Sequence, residues 1–404
     1  MSGTLVLVLA VAGAYLAAHV AFDWLARRFL VVSGGEYLLL GILLGPHVGG
    51  VIRPDAVGGF APLMTLALAW IGAVVGSQFH VPSLARIPRV YYRVALTEPL
   101  LTFVLAGGAM AAVLAVVGGV GLWDVLVPAA ALGAVAVASA PTGIAMAARD
   151  LPRRQALVRQ LEVVTALDAL VAILALGILV SVAHPGAPET VRAPTATEWV
   201  VITMGIGTVG GVLFHLFLAD EESIDRLFIG LAGALILVSG AAAYIGVSVL
   251  LPAMLVGAIL TNTSTHREAL LESLGGVERP LYFGLLVFAG AAWNPGASGW
   301  LLPVLLFLLV RTVAKTGGAR LAAAASGMLP ALGPRWGRAL LGQGGLAVAL
   351  ALDYRLMGGE AGQSIVFSAA IASVLVTDFT SARLARSVVD DFRARSESAP
   401  PGSR

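Results

Sequence analysis

Cysteine is absent from the 404-residue sequence, so neither a disulfide framework nor a thiolate metal site is available. Charge is almost as scarce. Asp, Glu, Lys and Arg make up 12% of residues against 58% hydrophobic, too few to clothe a soluble domain of this length. Lysine is reduced to a single residue, Lys315, among 25 basic side chains. The net charge of +2 gives no basis for binding nucleic acid. The HExxH, GxSxG and P-loop patterns do not occur, and no cofactor is expected. The N-terminus lacks a basic leader and an evident cleavage site, so its first apolar segment is expected to be retained.

What the sequence has is apolar runs of roughly 20 residues, the length a helix needs to cross a bilayer. They are continuous rather than alternating, which is not the pattern of a β-barrel. The 48 glycines and 20 prolines would punctuate soluble helices badly, but membrane bundles tolerate them. The expected class is an all-α polytopic membrane protein in contact with the lipid bilayer. About thirteen spans are expected: Leu5–Phe22, Glu36–Ile52, Pro62–Phe79, Val94–Val117, Val125–Ala148, Ala156–Val182, Trp199–Leu218, Leu227–Ile245, Val249–Leu260, Leu281–Trp293, Trp300–Met328, Ala339–Leu352 and Val366–Ala385.

With the N-terminus outside and the C-terminus cytoplasmic, the inner loops and tail hold nineteen arginines and the outer loops three, Arg53, Arg192 and Arg355. Such asymmetry is the positive-inside signal. Six spans, a seventh set off by flanking loops, and six more make two halves of opposite orientation, the inverted-repeat plan of secondary transporters. The fifth and twelfth spans, at corresponding places, are both interrupted. One carries Ser139, Pro141, Thr142 and Gly143, the other Gln343, Gly344 and Gly345. Paired interruptions point to a site at the midplane.

Asp168 falls near the middle of the sixth span, where a carboxylate costs at least ~2.5 kcal/mol to insert and a functional role is the default. The bland reading is a protonated Asp bridging two helices. Lys315 lies at similar depth in the eleventh span, too deep to snorkel well. Its ammonium can balance Asp168 or the negative ends of half-helices. Arg311, one turn earlier, is the better candidate for snorkelling or packing. Pro141 removes a backbone donor, so freed carbonyls and the hydroxyls of Ser139 and Thr142 could hold a small cation beside Asp168. A proline kink that only shapes packing is the plainer reading. Glu98, a turn or two inside the fourth span, suits an inner vestibule or a structural role. Glu162 faces away from Asp168 around the helix. Glu36 opens the second span, where it complements the helix N-terminus. The string Glu221-Glu222…Arg226 matches the EExxxR of membrane-embedded glutamic proteases, but it sits in a charged loop without an FxxxH partner.

Five segments, GGEYLLLGILLGPHVGG, AVAVASAPTGIAMAARDL, TALDALVAI, VRTVAKTGGARL and LLGQGGLAVALAL, occur in an order that resembles the monovalent cation/proton antiporter superfamily over nearly the whole chain. The resemblance implies thirteen helices, a homodimer, elevator-like alternating access and a bacterial plasma membrane. It implies dimer-domain helices in residues 1–89 and 223–296, core-domain helices in 90–184 and 297–388, a linker helix in 185–222 and a short cytoplasmic tail in 389–404. The superfamily usually carries Asp-Asp or Asn-Asp in the sixth span, whereas here the sequence reads Leu167-Asp168-Ala169. The second-position placement of Asp168 is preferred, which keeps the ion carboxylate and leaves the basic residue without its usual partner. The expected activity is exchange of Na⁺ or K⁺ for H⁺ by competition at Asp168. With Lys315 as a fixed counter-charge with one acidic partner the exchange is electroneutral; if Lys315 also releases its proton, it becomes electrogenic. The alternative is a carrier of the same fold for an organic or anionic solute, or a member that has lost cation coupling.

Overall fold

The computed structural model describes residues 34–119, 121–140, 156–184, 194–218, 223–296, 299–357 and 362–398. Their regular secondary structure is all helical, with no strand among them. Helices of ten residues or more are α1 (Gly35–Leu44), α2 (Ala61–Ser77), α3 (Arg89–Gly118), α4 (Leu122–Val137), α5 (Ala156–Val182), α6 (Ala196–Leu218), α7 (Ile224–Ile245), α8 (Leu250–Thr263), α9 (Arg267–Ala292), α10 (Leu301–Ala325), α11 (Gly345–Leu356) and α12 (Gln363–Ser398). A 3₁₀ helix, Trp336–Leu341, precedes α11. By length and composition α3, α5, α6, α7, α10 and α12 are able to cross a membrane. Exposed apolar side chains such as Val209 and Leu216 on α6 and Ile229 and Ile236 on α7 face outward, as lipid contact requires. The chain is a multi-pass membrane protein.

Helix ends follow local chemistry. Thr195 and Glu198 form a capping box at the start of α6, where the Thr195 N–H reaches Glu198 Oε2 at 2.7 Å and the Glu198 N–H reaches Thr195 Oγ1 at 3.3 Å. Gly119 ends α3 and Gly246 ends α7 with φ of 61° and 74°, the left-handed conformation that glycine supplies. α1 is shorter than the span expected there, because Gly45 is followed by Pro46, which disfavours helix in the residue before it. The helix at the tenth expected span begins earlier, as α9 runs back through the charged turns from Arg267 that hydropathy cannot see. The first span and the second part of the fifth, with Pro141, Thr142 and Gly143, lie outside the described residues.

α3 packs on α4, α5 and α10, while α2 packs on α8 and α9, and α1 on α9. The seam between α2 and α8 brings backbones together. A Cβ at Gly257 of α8 would run into the Ala73 carbonyl of α2, and one at Gly76 of α2 into the Met254 carbonyl of α8. Small residues at a membrane seam allow this close approach, and dispersion contacts then hold the pair. α12 continues as helix to Ser398, beyond the expected span. Arg335 meets Asp391 at 3.6 Å, and Arg395 donates to the Leu332 carbonyl at 3.1 Å, which ties this extension to the turn after α10.

Candidate functional site

α4 stops at Val137, and residues 138–140 run on without helical hydrogen bonds. The 3₁₀ helix stops at Leu341, and Gly342, Gln343 and Gly344 lead into α11. The two breaks meet: the Ala140 N–H donates to the Gly342 carbonyl at 2.8 Å. Breaks of this kind leave helix-end carbonyls exposed to an apolar interior. Side chains satisfy them here. On the α4 side, Gln343 Nε2 donates to the Val135 carbonyl at 2.6 Å, Lys315 Nζ to Val137 at 2.8 Å and Arg311 to Ala138 at 3.1 Å. On the 3₁₀ side, Arg311 donates to the Leu341 carbonyl at 2.8 Å, and Ser139 Oγ lies 3.1 Å from the Leu340 carbonyl. Two cations from α10 thus sit at the negative end of the half-helix α4, where the peptide dipoles favour positive charge.

Asp168, on α5, faces the same junction. Its Oδ2 accepts from Lys315 Nζ at 2.7 Å and from Ser139 Oγ at 2.5 Å. Its Oδ1 is buried and has no hydrogen-bond partner among the described residues. Lys315 also reaches Glu98 Oε2 of α3, at 3.2 Å, and all three of these charged side chains are 0% exposed. Glu98 is held from its other side, since Thr102 Oγ1 donates to Oε1 at 2.9 Å. With both carboxylates ionised, Glu98 and Asp168 balance Arg311 and Lys315, which is the condition for burying such charges together.

The structure therefore brings Asp168, Ser139, Lys315, Glu98 and Arg311 together around the breaks. Glu162 is exposed on another face of α5. Arg311 is buried and holds carbonyls of both breaks, so it does not snorkel. Lys315 has two acidic partners where one was expected. The preferred placement of Asp168 left the basic residue without its usual partner; Lys315 pairs instead with Asp168 itself and with Glu98. Gln343 is buried, with its backbone N–H on Thr377 Oγ1 at 3.1 Å and its Oε1 without a partner among the described residues. Gly345 begins α11 against the Tyr282 ring, whose hydroxyl accepts the Gly345 N–H at 2.6 Å.

Two buried carboxylates escaped the sequence reading. Asp353 of α11 accepts from Ser248 Oγ at 2.6 Å and from the Val249 N–H at 2.9 Å, just ahead of α8. Asp378 of α12 accepts the Gly35 N–H at 2.8 Å, at the start of α1. The available signal was the residue type: an Asp at the end of one apolar run and another inside the last.

The sequence matches the family described as sodium/hydrogen exchanger, transmembrane, over residues 35–385. Among solved structures, the fold is similar to that of the sodium proton antiporter MjNhaP1 from Methanocaldococcus jannaschii at pH 8. The TM-score is 0.68 with 14% sequence identity, over 95% of this chain and 100% of that one. An electron-microscopy structure of the same antiporter gives a TM-score of 0.62 and 16% identity, over 98% and 99% of the two chains. No curated protein matches the sequence. At these identities the structural likeness is one of fold, while the sequence match extends from α1 into α12 and takes in every described helix of the site. The chain belongs to the sodium/hydrogen exchanger family of transmembrane proteins.

Proposed function

We propose that this protein is a secondary active transporter that exchanges Na⁺ or K⁺ for protons, with Asp168 taking proton and cation in competition. One observation carries the reading. Asp168 is fully buried at the meeting of two interrupted helices, with Oδ2 held by Lys315 and Ser139 and Oδ1 left without a donor among the described residues. A buried acceptor lacking a donor is unfavourable by about 1–3 kcal/mol, and a proton or a dehydrated cation relieves it. The Ser139 hydroxyl is a second oxygen at the same place. Thr142, in the same break by sequence, is proposed as a third.

Coupling follows from charge. A proton and a monovalent cation each add one positive charge to the cluster, so either loaded state carries the same net charge. Exchange of one for one is then electroneutral, provided Lys315 stays protonated as the counter-charge. We assign the movement to a core of residues 90–184 and 297–388, sliding past a dimer domain of residues 1–89 and 223–296, with 185–222 as the linker. The packing of α3 with α4, α5 and α10, and of α2 with α8 and α9, supports that division. Thirteen spans in two inverted halves, a homodimer in a bacterial plasma membrane, an outside N-terminus and a cytoplasmic C-terminus complete the proposal. The arginine asymmetry supports the orientation.

A second reading, a carrier of the same fold for an organic or anionic solute or one uncoupled from cations, is favoured by Ala169. If Asp168 takes the first position of the superfamily's pair rather than the second, Ala169 stands where the usual ion ligand would be, and Lys315 already occupies Asp168. Proteoliposomes with an imposed pH gradient and an internal pH dye separate the two. Na⁺ or K⁺ is expected to dissipate the gradient and choline is not. Solute uptake without any cation-driven proton movement would establish the second reading instead.

A further inference from the structure

We infer that Glu98 is the second seat of the Lys315 ammonium: when a cation enters at Asp168, Nζ transfers its pairing from Asp168 to Glu98, and Glu98 thereby sets how readily a cation is accepted. This rests on the reading of Asp168 as the cation carboxylate and adds a positioning residue to it.

An ammonium has three N–H donors, and Nζ uses all three, on the Val137 carbonyl at 2.8 Å, Asp168 Oδ2 at 2.7 Å and Glu98 Oε2 at 3.2 Å. The two carboxylates are not equivalent, because the shorter contact goes to Asp168. A cation arriving at Asp168 places a second positive charge beside Nζ in a buried site, where like charges repel strongly. Nζ must give way. Without another carboxylate it would be left buried and unpaired, the most unfavourable outcome for a charge in an interior.

Glu98 is arranged to receive it. Thr102 Oγ1 occupies Oε1 at 2.9 Å, which fixes the carboxylate and leaves Oε2 turned to Nζ. The Val137 carbonyl serves both seats, so the ammonium turns about a bond that it keeps. Helices α3 and α10 also come close at this level: a Cβ on Gly318 would lie 3.2 Å from Thr102 Oγ1 and 3.6 Å from the Glu98 carbonyl. The short reach from α10 to Glu98 is thus built into the backbone. No proton leaves Lys315 in this exchange of partners, so electroneutral coupling is preserved.

The unique lysine provides the test. Full-length protein labelled with ¹³C-lysine gives one lysine side-chain signal, from Lys315. In Asp168→Asn the ammonium has only Glu98, and the signal there marks the second seat. Titrating wild type with Na⁺, and separately with K⁺, is expected to move the signal towards that position. In Glu98→Gln the movement is expected to vanish, and the cation concentration for half-maximal exchange in proteoliposomes to rise about tenfold. Wild-type half-saturation in Glu98→Gln, or exchange in wild type with an unmoved signal, overturns the second seat. If Glu98→Gln does not fold, Thr102→Val frees Oε1 and must raise the half-saturation in the same direction; an unchanged value counts against the proposal. A cation-induced shift without any exchange would sink the transport reading and leave the second seat standing. Neither shift nor exchange would remove both.

Discussion

Asp353 accepts the backbone N–H of Val249 at 2.9 Å, and so a carboxylate on α11 caps the start of α8 across the bundle. α8 has no side-chain cap of its own from Val249, and Ser248 Oγ donates to the other oxygen of the same carboxylate at 2.6 Å. Asp353→Ala leaves two buried donors without their acceptor, an expected loss of about 1–3 kcal/mol for each such group. Asp353→Asn keeps one acceptor oxygen and is expected to lose less. Thermal unfolding in detergent, followed by size-exclusion fluorescence, should rank wild type above Asn and Asn above Ala. Equal melting temperatures for all three would show that the cap contributes nothing.

Asp168→Asn is expected to abolish cation-driven proton movement while the protein remains folded, because asparagine keeps the shape but cannot trade a proton for a cation. Glu162→Gln, exposed on another face of the same helix, is expected to stay within about twofold of wild type, as surface changes usually do. Cation-dependent exchange that persists in Asp168→Asn eliminates Asp168 as the coupling residue.

Lys315→Arg is expected to retain exchange, at a reduced rate because a planar guanidinium does not fit the three contacts of an ammonium. The exchange should remain insensitive to membrane potential in both proteins. Rates measured with and without a valinomycin-clamped potential decide the matter. A wild-type rate that responds strongly to the clamp would mean that charge crosses the membrane in each cycle, and Lys315 could not then be a fixed charge.

Gly257→Val places a branched side chain against the Ala73 carbonyl of α2. Overpacking of this kind is unfavourable by about 1–3 kcal/mol, and a backbone neighbour cannot rotate away. Gly233, where an added Cβ meets nothing within 4 Å, is the control on α7. Gly233→Ala is expected to melt within a degree or two of wild type, on the order of a surface substitution, and Gly257→Val well below it.

The six helices long and apolar enough to cross a membrane were legible because bilayer crossing demands long apolar runs, and α5, Ala156–Val182, coincides with its expected span at both ends. Asp168 and Lys315 stood out for the same reason in reverse, as charges where hydrocarbon should be. Glu98 did not, since its depth near the start of a span permits a vestibule equally well; only the approach of α3 to α10 shows that it faces Lys315. Arg311 was weighed for snorkelling because its length suits that, and its two carbonyl partners come from breaks that lie far from it in sequence. Asp353 lay one residue past an expected span, where a carboxylate ordinarily meets water. The helical extension of α12 was hidden as well, because its mixed charges read as tail.

The bond from the Ala140 N–H to the Gly342 carbonyl, at 2.8 Å, joins the two interrupted segments through main-chain atoms alone. Ordinary side-chain replacement cannot delete it; among the natural residues only proline at position 140 removes the donor. The junction is a rivet that substitution of the carboxylates and cations around it would leave in place. Under the proposed movement of the core, the two segments crossing there would shift as one piece, so changes in the ion ligands need not loosen the moving part.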